Sequence, residues 1–427
     1  DSFLSKEKSD GLFVRYGRWK TPRDFTSRRT TKRIVQGFSG QSGNWDWDTA
    51  FVWSQGESMM INGGRIDMTA LDAALADSTP SAFNPFCNMG SNCNEEQFTI
   101  SIFRKNTSDL YMYDFKMSNA EVFTMPNSLP VGMLIGAEIR REKIGDTRDP
   151  NINGTIPYVE NYGVYAGRTF PYTSNVVGSS PSPDTTGSRT VTSLFTELQI
   201  PLTETINSQI AVRAESFDDI GDTVVGKFAI GWDINDYVKA RASTSTSFRA
   251  PNLVTVNEGL IARVNSRNDS LISYATGSNF ADYGMQRIAQ GNANLESEES
   301  KTSSIGFVVT PFENLVITYD MWKIEQEKTV GLFGEENHIL LDTLLRVQGG
   351  VNECIGNPLV VRSAYIGHID IDTDEVLAWN SSLCPAGQVT RIDDTYTNLD
   401  DRTLEGRDLL IAYSLDTDFG DFRFKLS

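Results

Sequence analysis

The chain has 427 residues, 39% of them hydrophobic, and a formal net charge of -18 from 56 acidic against 38 basic side chains. So acidic a chain repels a phosphate backbone, which argues against nucleic acid as a partner. No apolar run approaches the roughly 18 residues that span a bilayer as a helix, so a helical membrane protein is excluded; a membrane barrel is not, because its strands alternate lipid-facing and lumen-facing residues.

Asp1 is not followed by the charged and apolar regions of a signal peptide. From there on, stretches of about ten residues with period-two alternation recur, separated in turn by tight polar turns and long polar loops. In chain order they cover 11–19, 29–39, 45–57, 109–123, 131–141, 190–200, 206–215, 223–232, 237–249, 301–311, 315–326 and 402–415. On the fifth, Val131, Met133, Ile135, Ala137 and Ile139 alternate with Gly132, Gly136, Glu138 and Arg140. The same parity sets Ile210 and Val212 against Gln209 and Arg213, and Val224, Phe228 and Ile230 against Thr223 and Lys227. A one-residue slip would move each apolar set to the opposite face. All nine of Val131, Met133, Ile135, Ile139, Ile210, Val212, Val224, Phe228 and Ile230 are therefore expected on one outward face of a curved antiparallel sheet.

Turn chemistry stands at 41–44, 125–130, 201–205, 233–236, 311–314 and 416–421. Long excursions fill 58–108, 144–189, 250–300 and 327–401; within them 67–78 and 338–347 have helical Leu and Ala spacing. Strict alternation of short turns and long loops is the asymmetry of an outer-membrane barrel. A soluble sandwich or propeller needs similar strands, but the alternation, and the lack of a repeat of about 40 to 50 residues, weigh against both. Trp45, Trp47, Trp232, Tyr237 and Phe312 lie beside the short turns, the place of an interfacial aromatic girdle and equally of ordinary core aromatics.

Cys87 and Cys93 form one group and Cys354 and Cys384 another, with only His338 and His368 elsewhere. Zinc spacing is absent. Two loop disulfides, Cys87 with Cys93 and Cys354 with Cys384, suit an oxidising compartment; four free thiols are the alternative. The acids of 370–375 recur as in a calcium loop, but the required Gly and Glu are missing, so a hairpin tip is expected there.

The run VKARASTSTSFRAPNL (238–253), containing Phe248, Arg249, Ala250 and Pro251, resembles the mid-barrel signature of TonB-dependent outer-membrane receptors. LPVGMLIGAEIRREK (129–143), SLFTELQIPL (193–202) and GNANLESEESKTSSIGF (291–307) resemble further segments of that family in order, as do GNWDWDTAFVW (43–53) and RTLEGRDLLIAYSLDTDFG (402–420). Ala293 stands where the family usually has Pro, and Glu296 is followed by Ser where Pro-Glu is common.

The resemblance implies an all-β, transmembrane up-and-down barrel, with about twelve strands here of the roughly 22 that such barrels hold. It makes residues 1–427 a partial barrel domain without plug. The implied function is TonB-energised uptake of a siderophore-bound iron, vitamin B12 or an oligosaccharide across the outer membrane of a Gram-negative bacterium. Outer-membrane lipid, the ligand, and a TonB-ExbB-ExbD complex acting through the absent plug are the implied partners.

No nucleophile constellation, phosphate-binding loop or metal signature appears, so neither enzyme activity nor a cofactor is expected. A secreted β-rich carbohydrate-binding or adhesion protein is the main alternative, and a β-rich hydrolase the lesser one. Lumen-facing Glu138, Arg140, Glu197, Arg213, Glu215, Lys227, Lys239 and Arg241 suit cross-strand pairing, or simply a hydrated pore. The loop aromatics Tyr158, Tyr162, Tyr165, Phe170 and Tyr172 suit stacking on a sugar or aromatic chelate, and equally loop packing.

Overall fold

The computed structural model describes residues 19–87, 93–161, 166–278, 280, 282–369 and 375–427. The segments from 29–39 to 402–415 become eleven strands, and a twelfth that was not expected follows them: β1 (Phe25–Ser42), β2 (Trp45–Ile66), β3 (Thr99–Thr124), β4 (Pro130–Arg148), β5 (Thr185–Pro201), β6 (Ile206–Phe217), β7 (Gly221–Asn235), β8 (Val238–Arg249), β9 (Glu298–Val309), β10 (Leu315–Glu327), β11 (Arg402–Thr417) and β12 (Gly420–Leu426). They form one antiparallel sheet in which every strand pairs with its neighbours in chain order. Among the described residues, β1 and β12 are its edges.

Register settles which side chains share a face. Met133 opposes Leu198, which opposes Ile210, which opposes Phe228. Farther round, Ile230 opposes Ala242, then Ile305, then Met321. This apolar face is open: Leu194 is 63% and Val224 67% exposed, values no soluble core would show. Trp232, Tyr237 and Phe312 are exposed beside the tight turns. Val131 departs from the expectation: it keeps the parity of Met133 but is completely buried, next to a register shift between Asn119 and Phe123.

The tight turns need backbone that few residues adopt. Gly43 between β1 and β2 has φ +61° and Asn314 between β9 and β10 has φ 72°, left-handed values that Gly and Asn tolerate. On the other side the connections are 67–98, 149–184, 218–220, 250–297 and 328–401. The third corrects the strict alternation: β6 and β7 are joined by a tight link on the loop side. The first excursion is also shorter than expected, because β2 runs on to Ile66 and β3 begins at Thr99. At about 3.3 Å per residue, the 26 residues of β3 measure about 85 Å against a hydrocarbon core of about 30 Å. Its loop-side half, with Arg104, Lys105, Asn106, Thr107, Ser108 and Asp109, is polar on both faces and stands beyond the apolar belt. The expected strand at 11–19 lies, but for Trp19, outside the described residues.

The dry cores sit in the loops. Ile66, Ala74, Phe83, Cys93 and Phe98 form one, under helix α1 (Met68–Ala76). Met285, Ile339, Val360, Val389 and Ile392 form the other, where a four-stranded sheet of 360–362, 389–393, 283–289 and 261–267 meets the helix Glu335–Gly349. Among the described residues no helix is long and apolar enough to cross a membrane, which says nothing of the strands.

Arginine on the lipid face of such a wall costs about 2–4 kcal/mol at mid-depth. Val212→Arg is expected to lower stability by about that amount in unfolding from lipid vesicles, and Thr223→Arg, on the polar face, by about 0.5 kcal/mol or less. Equal losses would contradict the face assignment.

Candidate functional site

The polar face of the wall is a lattice of paired charges. Arg140 lies 2.8 Å from Glu138, 3.1 Å from Glu142 and 3.4 Å from Glu215. Arg213 also holds Glu215, and Ser193 donates to that carboxylate at 3.0 Å. The Arg140–Glu215 pair skips from β4 to β6, over the small Ser193 of β5. Arg241 reaches Asp320 at 2.7 Å from β8 to β10 in the same way, over Gly306, where a Cβ would collide with the Asp320 carboxylate. Lys239 pairs with Asp233 at 2.9 Å. Glu197 accepts from Gln209. The exposed Lys227 has no ion pair among the described residues.

The Phe248–Pro251 motif turns the chain inward at the loop-side rim. Arg249 clamps Glu298 at 2.8 Å, closing the β8–β9 pair. Phe248 meets Phe217 edge to face at 5.7 Å. Ala250 is half-buried and Pro251 buried; Asn252 then caps helix α2 (Leu253–Asn257) by accepting from the Thr255 N–H. Asn257 covers Gly187 of β5, which faces the polar side, so α2 leans over the lumen. Beyond it, burial raises the Glu258 carboxyl against the opposing pull of Arg148 and Arg263.

A folded head stands on this rim, stitched by buried charge. Asp269 caps helix α3 (Ser270–Thr276) and receives Arg362 at 2.7 Å and the Tyr283 hydroxyl at 2.6 Å. Arg362 also reaches Asp342 at 2.8 Å. Burial works to raise the Asp269 carboxyl, but Arg362 and Tyr283 outweigh it and hold it below the usual carboxylate range. Burial and the Asp269 charge push the Tyr283 phenol upward. A second node joins Asp394 to Arg287 at 3.0 Å and to His338 at 3.3 Å; burial works against the Asp394 carboxylate, and His338, the Gly334 N–H and Arg287 hold its carboxyl low. Disulfides Cys87–Cys93 and Cys354–Cys384 close loops within the first and last excursions.

A cleft of about 330 Å³ opens between loop 149–184 and the head sheet. Arg168, Glu160 and Tyr172 line one side, Gly178 to Pro181 another, and Ala262 to Asn265 with Gln286 the third. Arg168 donates to Gln286 at 2.8 Å, and Gln286 donates to the Tyr172 carbonyl at 3.2 Å.

Of the expected ligand aromatics, Tyr172 borders this cleft and is 37% exposed. Tyr158 is buried, and Phe170 packs its ring over Gly154, where φ of +85° and the ring leave no room for a Cβ. Tyr162 and Tyr165 lie outside the described residues, as do positions 370–374 of the expected hairpin tip. Sequence reading missed Glu160, Arg168, Arg263 and Gln286, because their meeting depends on contacts more than 100 residues apart.

The architecture is that of a barrel wall with one face for lipid and one for water. A family model described as TonB dependent receptor-like, beta-barrel matches residues 2–335, and the chain belongs to that family. Among solved structures, a mutant ferric enterobactin receptor from Pseudomonas aeruginosa is similar over 94% of this chain and 44% of its own, at 14% identity and a TM-score of 0.53. The siderophore receptor PirA from the same organism covers 90% and 53%, at 12% identity and a TM-score of 0.42. The RagAB peptide importer covers 94% and 36%, at 9% and 0.47. The chain thus spans about half the length of these structures or less, and the likeness to the ferric enterobactin receptor speaks to fold alone. No curated protein matches it.

Removing one partner of a buried pair costs about 3–5 kcal/mol. Arg362→Ala, which takes the only ion-pair partner of buried Asp269 among the described residues and leaves Asp342 with Arg346, is expected to lower the hydrogen-exchange protection of 283–289 and 389–393 by that amount while β5–β8 keep theirs. Because the Asp269 carboxyl is depressed in the fold, its contribution is complete above the unfolded value of about 3.9 and is lost as pH falls through the lower folded value. Head protection should therefore hold from pH 8 to pH 5 and fail only below about pH 4. A loss between pH 7 and pH 5 would contradict the assignment.

Proposed function

We propose that this chain is the barrel wall and outer head of a receptor that imports a scarce nutrient across a Gram-negative outer membrane. The open apolar face of the sheet, backed by a charge-lined polar face, carries the reading: it suits a wall with lipid on one side and water on the other. The folded, disulfide-closed head on the loop side suits the cell surface, where thiols oxidise. Ligand capture is assigned to the loop-side cleft with Tyr172 at its border; Tyr158 acts in packing. The lattice around Arg140 and Glu215 offers a plug its polar anchors, and energy arrives through TonB-ExbB-ExbD. Iron chelates, vitamin B12 and oligosaccharides are the ligand classes this family membership brings forward.

The test is fractionation joined to uptake. The protein should stay with the outer membrane until detergent is added, and its strain should lose growth on one of these nutrients when the gene is deleted or a protonophore is present. Recovery of the protein in the soluble supernatant, or growth indifferent to the protonophore, would contradict the reading.

A further inference from the structure

The apolar belt of the wall ends abruptly on β1–β4. Phe51, Tyr113 and Ile139 oppose one another across β2, β3 and β4, which fixes the parity of the outward face there. One row nearer the loops stand Ile34, Trp53, Tyr111 and Arg141, and the row after that is Lys32, Gln55, Asp109 and Lys143. Thr30, Glu57, Thr107 and Gly145 follow, then Arg28, Met59, Lys105 and Thr147. All of these keep the parity of the belt, so they belong to its face and not to the lumen.

Charge on this outward band is unevenly spread. On β1–β4 the cations Arg28, Lys32, Lys105, Arg141 and Lys143 outnumber the anions Glu57 and Asp109. Both anions are already engaged: Lys105 holds Glu57 at 3.0 Å, and the Gln55 amide donates to Asp109 at 2.9 Å. Among the described residues Arg28, Lys32, Arg141 and Lys143 form no ion pair. On β5–β8 the same face carries a single charge, Asp222. On β9–β11 it carries Lys301, Lys323 and Arg407 against Glu299, Glu325, Glu327 and Glu405, and Lys323 pairs with Glu325. In a chain of net charge -18, the outward cationic surplus is thus confined to one stretch of wall.

Its position says what would cover it. The band continues the lipid-facing belt and begins at a row that holds Trp53 and Tyr111, the latter 41% exposed. Such rings favour the headgroup level of a bilayer, and Arg and Lys beside them keep their charge at the water boundary while their stems lie along apolar surface. The anion fixed at that depth is a lipid phosphate, which Arg can bind through two parallel N–H groups. Strands lie about 4.8 Å apart, so Lys32 and Lys143, three strands from one another, bracket a width of about 14 Å, enough for one headgroup.

We propose that the outward band of β1–β4 holds the phosphate of an anionic lipid in the loop-side leaflet, with Arg141 and Lys143 as its main contacts and Lys32 closing the site. Trp53 and Tyr111 lie against the start of its acyl chains. The inference rests on the proposed wall reading, in which the apolar face meets lipid.

The full receptor in detergent is titrated with dioleoylphosphatidylglycerol or dioleoylphosphatidylcholine, and bound lipids are counted by native mass spectrometry. The anionic lipid is expected to be retained in preference, and that preference to fall roughly fivefold for each of Lys32→Gln, Arg141→Gln and Lys143→Gln. Phosphatidylcholine binding, expected unchanged, reports an intact wall in each variant. The double variant Lys301→Gln, Lys323→Gln, which removes cations from the balanced stretch, should keep the full preference. Equal retention of the two lipids by the unaltered receptor, or an equal loss in the double variant, would overturn the inference. Displacement of the phosphatidylglycerol by excess inorganic phosphate would do so as well, because it would mark a site for a soluble anion. In any of these cases a protein that needs detergent and imports its nutrient keeps the uptake reading. A protein soluble without detergent would remove both.

Discussion

Backbone pairing in a medium without water governs this structure. An N–H or C=O left alone in hydrocarbon costs several kcal/mol, so a chain crossing lipid as strands must hand each polar group to the next strand. The unbroken neighbour-to-neighbour order of β1 to β12 satisfies that demand for every inner strand. Once pairing is fixed, side-chain parity is fixed too, and one residue in two must suit lipid while its neighbour suits water. The apolar face from Met133 to Met321 and the charge lattice from Glu138 to Asp320 are two results of one register.

That register also shapes the lattice. Charges that alternate along a strand find partners two strands away only where the strand between carries a small residue, as Ser193 and Gly306 do. The head obeys different rules. It has water outside and small dry cores inside, and it is held by buried ion pairs and disulfides rather than by a lipid boundary. Buried ion pairs add little net stability compared with apolar packing, but they penalise any rearrangement that separates them. A head so built keeps a cleft in shape without a large core.

The wall was legible in the sequence because two solvents write period two into each strand. Eleven of the twelve expected segments coincide with wall strands, and the helices at 67–78 and 338–347 appear as Met68–Ala76 and Glu335–Gly349. The tight 218–220 link was already implied by the short gap between the expected segments 206–215 and 223–232, and only the rule of strict alternation obscured it. The head sheet was hidden for another reason. Its strands are short, and 283–289 pairs in parallel with 389–393, about a hundred residues on, so no local periodicity announces it. The cleft was half seen. Aromatic content drew attention to Tyr172, whereas Arg263 and Gln286 became visible only when the fold set the head sheet against loop 149–184.

The most direct measurement of the central claim is accessibility along β7. Spin labels placed singly from Thr223 to Trp232 in the receptor in lipid vesicles are collided with oxygen, which concentrates in lipid, and with a water-soluble nickel chelate. The account predicts a period of two, with even positions such as Val224, Phe228, Ile230 and Trp232 favouring oxygen and odd positions such as Thr223, Val225 and Lys227 favouring nickel. Accessibility without that alternation, or nickel contact at Phe228 and Ile230, would contradict it.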